Sequence, residues 1–343
     1  MRIGIDTTSA GAGIKQAVAD FPLLVRLNAT NFTFAQARHD GADIRFVDSG
    51  GASLHHEIEH WDDEKYVAEV WVLVPRIEGD SDDNFVLMYW GDPLAAPVSS
   101  GPSVFGAFAC VLHMMEDADG QAAHLGDSSG QANTGLVQNL PAGAVHADGI
   151  AGPGLALGGD GAYLATAKRV LSPQTFSISL WFKTTGTTRA GIAGFASRQL
   201  GSDPLFDRAI WIDERGRLSF SVLLGDARAT VSSLTGYNDG AWHLVVARFS
   251  DSGQYLMVDG ESIADDPTSS GGETYNRYWR FGEEPLSSSP AVGIDASVPA
   301  GNFFSGTLDE IRITNDEPSD AWIKLAYATQ RPGATTVVYP AAR

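Results

Sequence analysis

One cysteine, Cys110, is all the 343-residue chain contains, so no disulfide can form within it. It lies in the apolar run from Val104 to Leu112 and reads as a small buried hydrophobe rather than a reactive thiol. Scarce cysteine suits cytosolic proteins and many exported bacterial ones, and leaves the compartment open. No run of 18 apolar residues occurs, which excludes a membrane-spanning helix. Basic residues are few: 23 Lys and Arg stand against 42 Asp and Glu, for a formal charge of −19. Such a surface repels phosphate backbones and anionic lipid heads, which argues against nucleic acid and electrostatic membrane binding. Also missing are a glycine-rich phosphate loop, a serine nucleophile elbow and a dinucleotide fingerprint.

What the chain does have is turn residues and short strands. The 38 glycines and 16 prolines punctuate a sequence that is 43% hydrophobic, the profile of an all-β protein with a real core. In the first hundred residues, Phe21 to Leu27, Ala42 to Val47, His56 to Trp61, Val67 to Val74 and Phe85 to Trp90 read as strands of a small sandwich over residues 1–97. Breakers from Asp92 to Pro102 mark a boundary, with a connector at 98–104. A second module is expected at 105–332, followed by a tail at 333–343. Within it Phe176, Ile178, Leu180 and Phe182 share one strand face, and Asp259-Gly260 is a two-residue hairpin signal. The single convincing helix runs from Ser319, its cap, to Thr329.

Five segments occur in an order specific in combination: Ala162-Tyr163-Leu164, FSISLWFKT, DGAWHLVVARF, YLMVDGESIA and FFSGTLDEIRITN. In these, residues 105–330 resemble the LamG-like, concanavalin A-type jelly rolls. The resemblance implies two stacked sheets, with the LDEIRI strand returning beside the module's opening strand. FPLLVRL, DGADIRFVD, HHEIEHW, VWVLVP and YWGDPLAA resemble an uncharacterised domain that precedes such jelly rolls in envelope proteins. Similar tandem pairs occur in secreted surface proteins and in the periplasmic part of MotA/TolQ/ExbB-type proton channels. The chain opens on MRIGIDTTSAG, straight into a strand and turn with no visible signal peptide, which leaves either a protein that stays inside or a trimmed one. The resembled domain commonly has a Trp a few residues before its opening strand, which implies the second. The expected location is therefore periplasmic or extracellular.

Several constellations could carry chemistry. Glu57 and Glu59 alternate on one strand, as the carboxylates of laminarinase-type glucanases do, but they lack the rest of that signature and lie in the first module. His55, His56 and His60 offer too few convergent ligands for zinc. By the family resemblance, Asp160 and Asp309 are candidates for a structural calcium site, with Asp127 a weaker one. Against this, Asp160 can cap a turn and Asp309 can accept backbone N–H bonds. Tyr275, Arg277, Tyr278, Trp279 and Arg280 look like a sugar-binding loop, with flat rings beside hydrogen-bond donors, although alternate members could equally pack into the sheet. The leading expectation is a non-enzymatic module that binds a polysaccharide or cell-surface ligand, with other envelope proteins as further partners and no membrane insertion. A glycan hydrolase using Glu57 and Glu59, or a structural spacer, are the alternatives.

Overall fold

A computed structural model describes residues 1–114, 124–139, 147–201, 206–225, 227–284 and 302–341. Strands make up about 50% of the protein and helices about 6%, so it is all-β as expected.

The first module is two facing antiparallel sheets. One has the order Val337–Val338, Arg2–Ile5, Asn84–Tyr89, Arg45–Val47, Ser53–Leu54, and the other Val18–Asn28, Val67–Ile77, His56–Asp62. Phe21, Leu23, Val25 and Leu27 fill the space between them with Val70 and Val72 of the neighbouring strand. Leu24 and Trp71 leave by the opposite face and are equally buried, against Phe105, Phe108 and Val111. A strand covered on both faces needs consecutive rather than alternating apolar residues, which explains the unbroken runs FPLLV and VWVLV.

The second module is the expected jelly roll. A nine-stranded sheet runs Ala227–Gly236, Arg217–Leu224, Phe206–Ile212, Ala190–Ala196, Asn276–Phe281, Tyr163–Thr166, Gly135–Gln138, His124–Leu125, with Val170–Leu171 beside Asn276–Phe281. It faces an eight-stranded sheet in the order Ala147–Asp148, Pro153–Gly158, Ser305–Thr314, Phe176–Lys183, Trp242–Ser250, Gly253–Val258, Glu261–Asp266. The eighth strand, Cys110–Leu112, pairs with Ser305–Thr314, so the LDEIRI strand does return beside the module's opening strand. Phe176, Ile178, Leu180 and Phe182 project into the shared core with Phe195, Phe220, Trp279 and Phe281. Asp259 and Gly260 both have positive φ, 54° and 82°, the conformation a tight hairpin demands. Cys110 is fully buried, and burial pushes its thiol up.

Two boundary expectations give way. Residues 98–104 are not a plain connector: Gly101–Phe105 is a helix whose Ser103 amide is capped by Ser100 Oγ at 3.3 Å. Within 333–341, Val338 pairs with Gly4 and covers an otherwise open sheet edge of the first module. The helix Asp320–Gln330, capped by Ser319, packs Trp322 against Phe21 at 5.3 Å. Arg26 ties these parts together by donating to the carbonyls of Ile150, Thr329 and Gln330 at 2.9, 3.2 and 2.5 Å. Among the described residues no helix is long and apolar enough to cross a membrane.

Candidate functional site

Two places gather chemically capable side chains: the outer face of the nine-stranded sheet, and the seam between the modules.

The outer face follows from simple alternation. Leu218, Phe220 and Val222 point into the jelly-roll core, which turns Ser219 and Ser221 outward; Ile210 and Ile212 point in, which turns Ala209 and Trp211 out. Trp211 is half-buried, with the Arg189 guanidinium over its ring at 4.9 Å. Phe206 lies across Gly194, where a Cβ would stand 2.0 Å from the ring, and joins Ala196 and Ala209 in a small apolar patch beneath Trp211. Around it Ser219 and Ser232 share a 2.8 Å hydrogen bond, while Arg228 donates to Ser221 Oγ at 2.7 Å and to the Phe206 carbonyl at 2.8 Å. The result is an indole and a carpet of hydroxyl and guanidinium groups. Strand residues packed on the first module, Trp181, Leu244, Val246 and Met257, all come from the other sheet.

The expected sugar-binding loop is instead mostly an internal strand. Asn276–Phe281 sits between Ala190–Ala196 and Tyr163–Thr166, so its alternate residues must point into the core. Trp279 is 2% exposed and 4.6 Å from Phe195. Arg277 is buried with its guanidinium 3.6 Å from the Tyr275 ring, and Tyr275 donates its hydroxyl to Asp207. Arg280 is fully buried on the outer side, paired with Glu283 at 2.8 Å. Only Tyr278, half-buried beside Ala196, shares the outer face with some access to solvent. Trp211, Arg189 and Arg228 were not anticipated. The readable signal for Trp211 was the alternation in FDRAIWI, while Arg189 and Arg228 lie outside any such pattern.

The calcium pair does not assemble. Asp160 is an exposed turn residue with its carboxylate against Gly158, which pairs with Ser305. Asp309 lies four residues further along that strand, roughly 13 Å away at about 3.3 Å per residue, too far for one cation's first shell. Its oxygens accept from the amides of Ile150, Ala151 and Glu310 at 2.5, 3.2 and 2.9 Å. Asp127 is likewise filled by the amides of Val111, Ser129 and Asn133.

At the seam, a bulge adds one residue, so that two stand between core-facing Leu308 and Ile311, with Glu310 at a φ of 51°. This turns both Asp309 and Glu310 away from the jelly-roll core, toward Glu57 and Glu59. His113 Nδ1 stands 2.7 Å from Glu310 Oε1 and 3.4 Å from Glu59 Oε2, and its Nε2 is 3.5 Å from Glu57 Oε2. Arg312 donates to Glu310 Oε2 at 2.6 Å, Trp71 Nε1 to Glu59 Oε2 at 2.5 Å, and Ser128 to Glu57 Oε1 at 2.7 Å. Burial raises the Glu59 and Asp309 carboxyls well above the usual range, with the Glu310 charge adding to it. Burial opposes charge on His113 and Glu310 too, but there the partners win. The Glu310 and Glu59 carboxylates raise His113 well above its ordinary value, while His113 and Arg312 hold Glu310 down at about 2. Among the described residues, the ligand-type atoms of Glu59, His113 and Glu310 lie within 4.8 Å of one another. His55, His56 and His60 supply none of this group; His60 instead meets Glu69 at 2.8 Å.

Solved structures to which the chain is similar include domain 4 of AbnA, an extracellular arabinanase of Geobacillus stearothermophilus, in complex with arabinotriose. It is 16% identical with a TM-score of 0.44, over 64% of this chain and 98% of that one. The receptor binding domain of a botulinum neurotoxin mosaic serotype C/D is 18% identical with a TM-score of 0.43, over 66% of this chain and 52% of that one. A Trypanosoma rangeli sialidase in complex with sialic acid is 12% identical with a TM-score of 0.45, over 81% of this chain and 42% of that one. The chain thus spans about half the length of the neurotoxin domain it matches. No curated protein matches the sequence. Residues 40–112 match a domain of unknown function (DUF2341) and residues 157–324 the concanavalin A-like lectin/glucanases superfamily, so the chain carries a concanavalin A-like domain behind that uncharacterised one.

Proposed function

We propose that this chain is a non-catalytic binding protein of the cell envelope or exterior, holding a polysaccharide or glycan-bearing surface partner on the outer face of the nine-stranded sheet. The observation that carries this reading is Trp211 under Arg189, half-open to solvent beside the exposed Ser232 and half-buried Arg228, with Ser219 and Ser221 buried beneath them. An indole covers the apolar side of a sugar ring, hydroxyls and guanidinium groups pair with its oxygens, and arginines favour acid-bearing sugars despite the chain's overall negative charge. The hydrolase alternative loses its support, because Glu57 and Glu59 are 9% and 5% exposed and already engaged between the modules. A glycosidase needs its two carboxyls in a cleft that admits substrate. The protein is read as the ligand-holding part of a larger envelope assembly.

A polysaccharide array on the purified protein tests this. Binding that falls at least tenfold in Trp211→Ala and persists in Glu57→Gln, with no sugar released, supports it. An array that stays blank, binding unchanged in Trp211→Ala, or product release that vanishes in Glu57→Gln rejects it.

A further inference from the structure

We infer that the seam between the modules is a binding site for one zinc-type divalent cation, held by Glu59, His113 and Glu310. The site lies apart from the proposed glycan face and does not depend on it.

Three observations converge. First, charge: four carboxyl groups, those of Glu57, Glu59, Asp309 and Glu310, meet a single guanidinium and a single imidazole in a space that is 9% exposed or less at every one of them. With the imidazole neutral, as a metal ligand must be, that leaves three negative charges, which one divalent cation and one shared proton offset. Second, unmet bonding: Glu59 Oε1, Glu57 Oε2 and His113 Nε2 are buried without a hydrogen-bond partner. A buried polar atom left this way costs about 1–3 kcal/mol, more for a charged group. Glu59 is completely buried, with its side chain 0% exposed.

Third, both carboxylate candidates are held by a neighbour, and the histidine has a carboxylate behind it. Trp71 Nε1 grips Glu59 Oε2, Arg312 grips Glu310 Oε2, and Glu57 Oε2 faces His113 Nε2. Outer partners of this kind orient metal ligands, and a carboxylate behind a ligating histidine is the commonest of them. The atoms that converge are Glu59 Oε2, His113 Nδ1 and Glu310 Oε1.

Donor type selects the metal. One nitrogen and two carboxylates suit zinc at about 2.0–2.2 Å, with a fourth position left for water, whereas calcium wants six to eight oxygens. Ligand atoms around a tetrahedral zinc stand about 3.3 Å apart. The 3.4 Å between His113 Nδ1 and Glu59 Oε2 meets this, and the 2.7 Å between His113 Nδ1 and Glu310 Oε1 has to open to admit the ion in place of a proton. On one side a cavity of about 340 Å³, opening at the exposed residues Asp20, Ala107 and Asp316, reaches Glu310 and Arg312 of the cluster.

The test uses the whole protein, stripped by chelator and then titrated with Zn²⁺ and, separately, Co²⁺. The expected results are one zinc per chain by elemental analysis after desalting, and visible cobalt absorption of tetrahedral strength. Glu59→Gln should lose both, and Trp71→Phe, which keeps every ligand, should bind zinc about 10–100-fold more weakly. Wild-type protein that retains no zinc and gives no cobalt band overturns the inference even if the variants fail to fold. Stoichiometric zinc that survives in Glu59→Gln and in His113→Gln overturns it as well, by placing the ion elsewhere.

Discussion

Replacing Trp279 with alanine separates a ring that holds the fold from a ring that holds a ligand. Its side chain is 2% exposed, 4.6 Å from Phe195 and 5.8 Å from Phe176 between the two jelly-roll sheets. A buried tryptophan removes about 150–250 Å² from water, worth about 4–6 kcal/mol at about 25 cal/mol per Å². Alanine and partial collapse recover some of this, so a loss of about 3–5 kcal/mol is expected. For a module of this size that lowers the melting temperature by about 10 °C. Trp211→Ala, on the outer face, should cost under about 1 kcal/mol and abolish glycan binding. Urea denaturation followed by near-UV circular dichroism gives the stabilities, and titration with the ligand well below both melting points gives the affinities. Near-native stability with lost binding in Trp279→Ala would mean that Asn276–Phe281 faces solvent and that the strand order around it is wrong.

Other consequences are as direct. His56 is 3% exposed against Phe46, and burial, helped by the Arg45 and His55 charges, lowers its pKa to about 4. The unfolded chain, titrating near about 6.5, binds that proton first, so stability should be full above neutrality and fall by about 3 kcal/mol as pH drops from about 7 to about 4. His56→Phe should flatten that slope, and denaturation midpoints measured across this range check it. Gly194→Ala places a methyl 2.0 Å from the Phe206 ring and should displace it at a cost of about 1–3 kcal/mol, weakening the platform under Trp211; paired denaturation and binding curves read both effects. Asp309→Ala strands the Ile150 and Ala151 amides and should destabilise by about 1–3 kcal/mol or more, whereas Asp160→Asn should stay within about 0.5 kcal/mol with or without calcium, both read by thermal melts.

Local signals in the sequence were enough for the architecture. Alternation in FSISLWFK, the Asp259-Gly260 pair and the Ser319 cap each depend on neighbours within a few residues, and each folds as read. The binding surface was harder for a physical reason. Tyr275, Arg277, Trp279 and Arg280 look like surface residues until strands from both sides enclose them, and the partners that satisfy Arg277 and Tyr275 include Asp207, 68 residues from Tyr275. Glu57 and Glu59 suggested catalysis because their partners were invisible. His113 is remote in sequence, Ser128 is 71 residues from Glu57, and Glu310 is 197 residues from His113. Both halves of that network were on the page as HHEIEHW and LDEIRI, but nothing local says that one strand faces the other.

That facing arrangement also explains why so much charge is tolerated at the seam. A buried ionic network is weak evidence for stability, because desolvation cancels much of the attraction, but it penalises misalignment heavily. If the strand His56–Asp62 slipped by one residue against its neighbour Val67–Ile77, its side chains would swap faces and His113 would lose Glu57 and Glu59 together. Leaving one carboxylate buried and unpaired costs about 3–5 kcal/mol, a large part of the stability of an ordinary domain. The apolar contacts of Trp71, Phe105, Phe108 and Val111 would tolerate such a slip better, since they are not directional. The seam therefore divides its work: apolar side chains supply the adhesion, and the charged cluster selects a single docking. Val337–Val338, paired with Arg2–Ile5, and Arg26, bonded to the carbonyls of Thr329 and Gln330, fasten the segment that follows the jelly roll back onto the first module, so the docking is held from both sides of the second module's sequence.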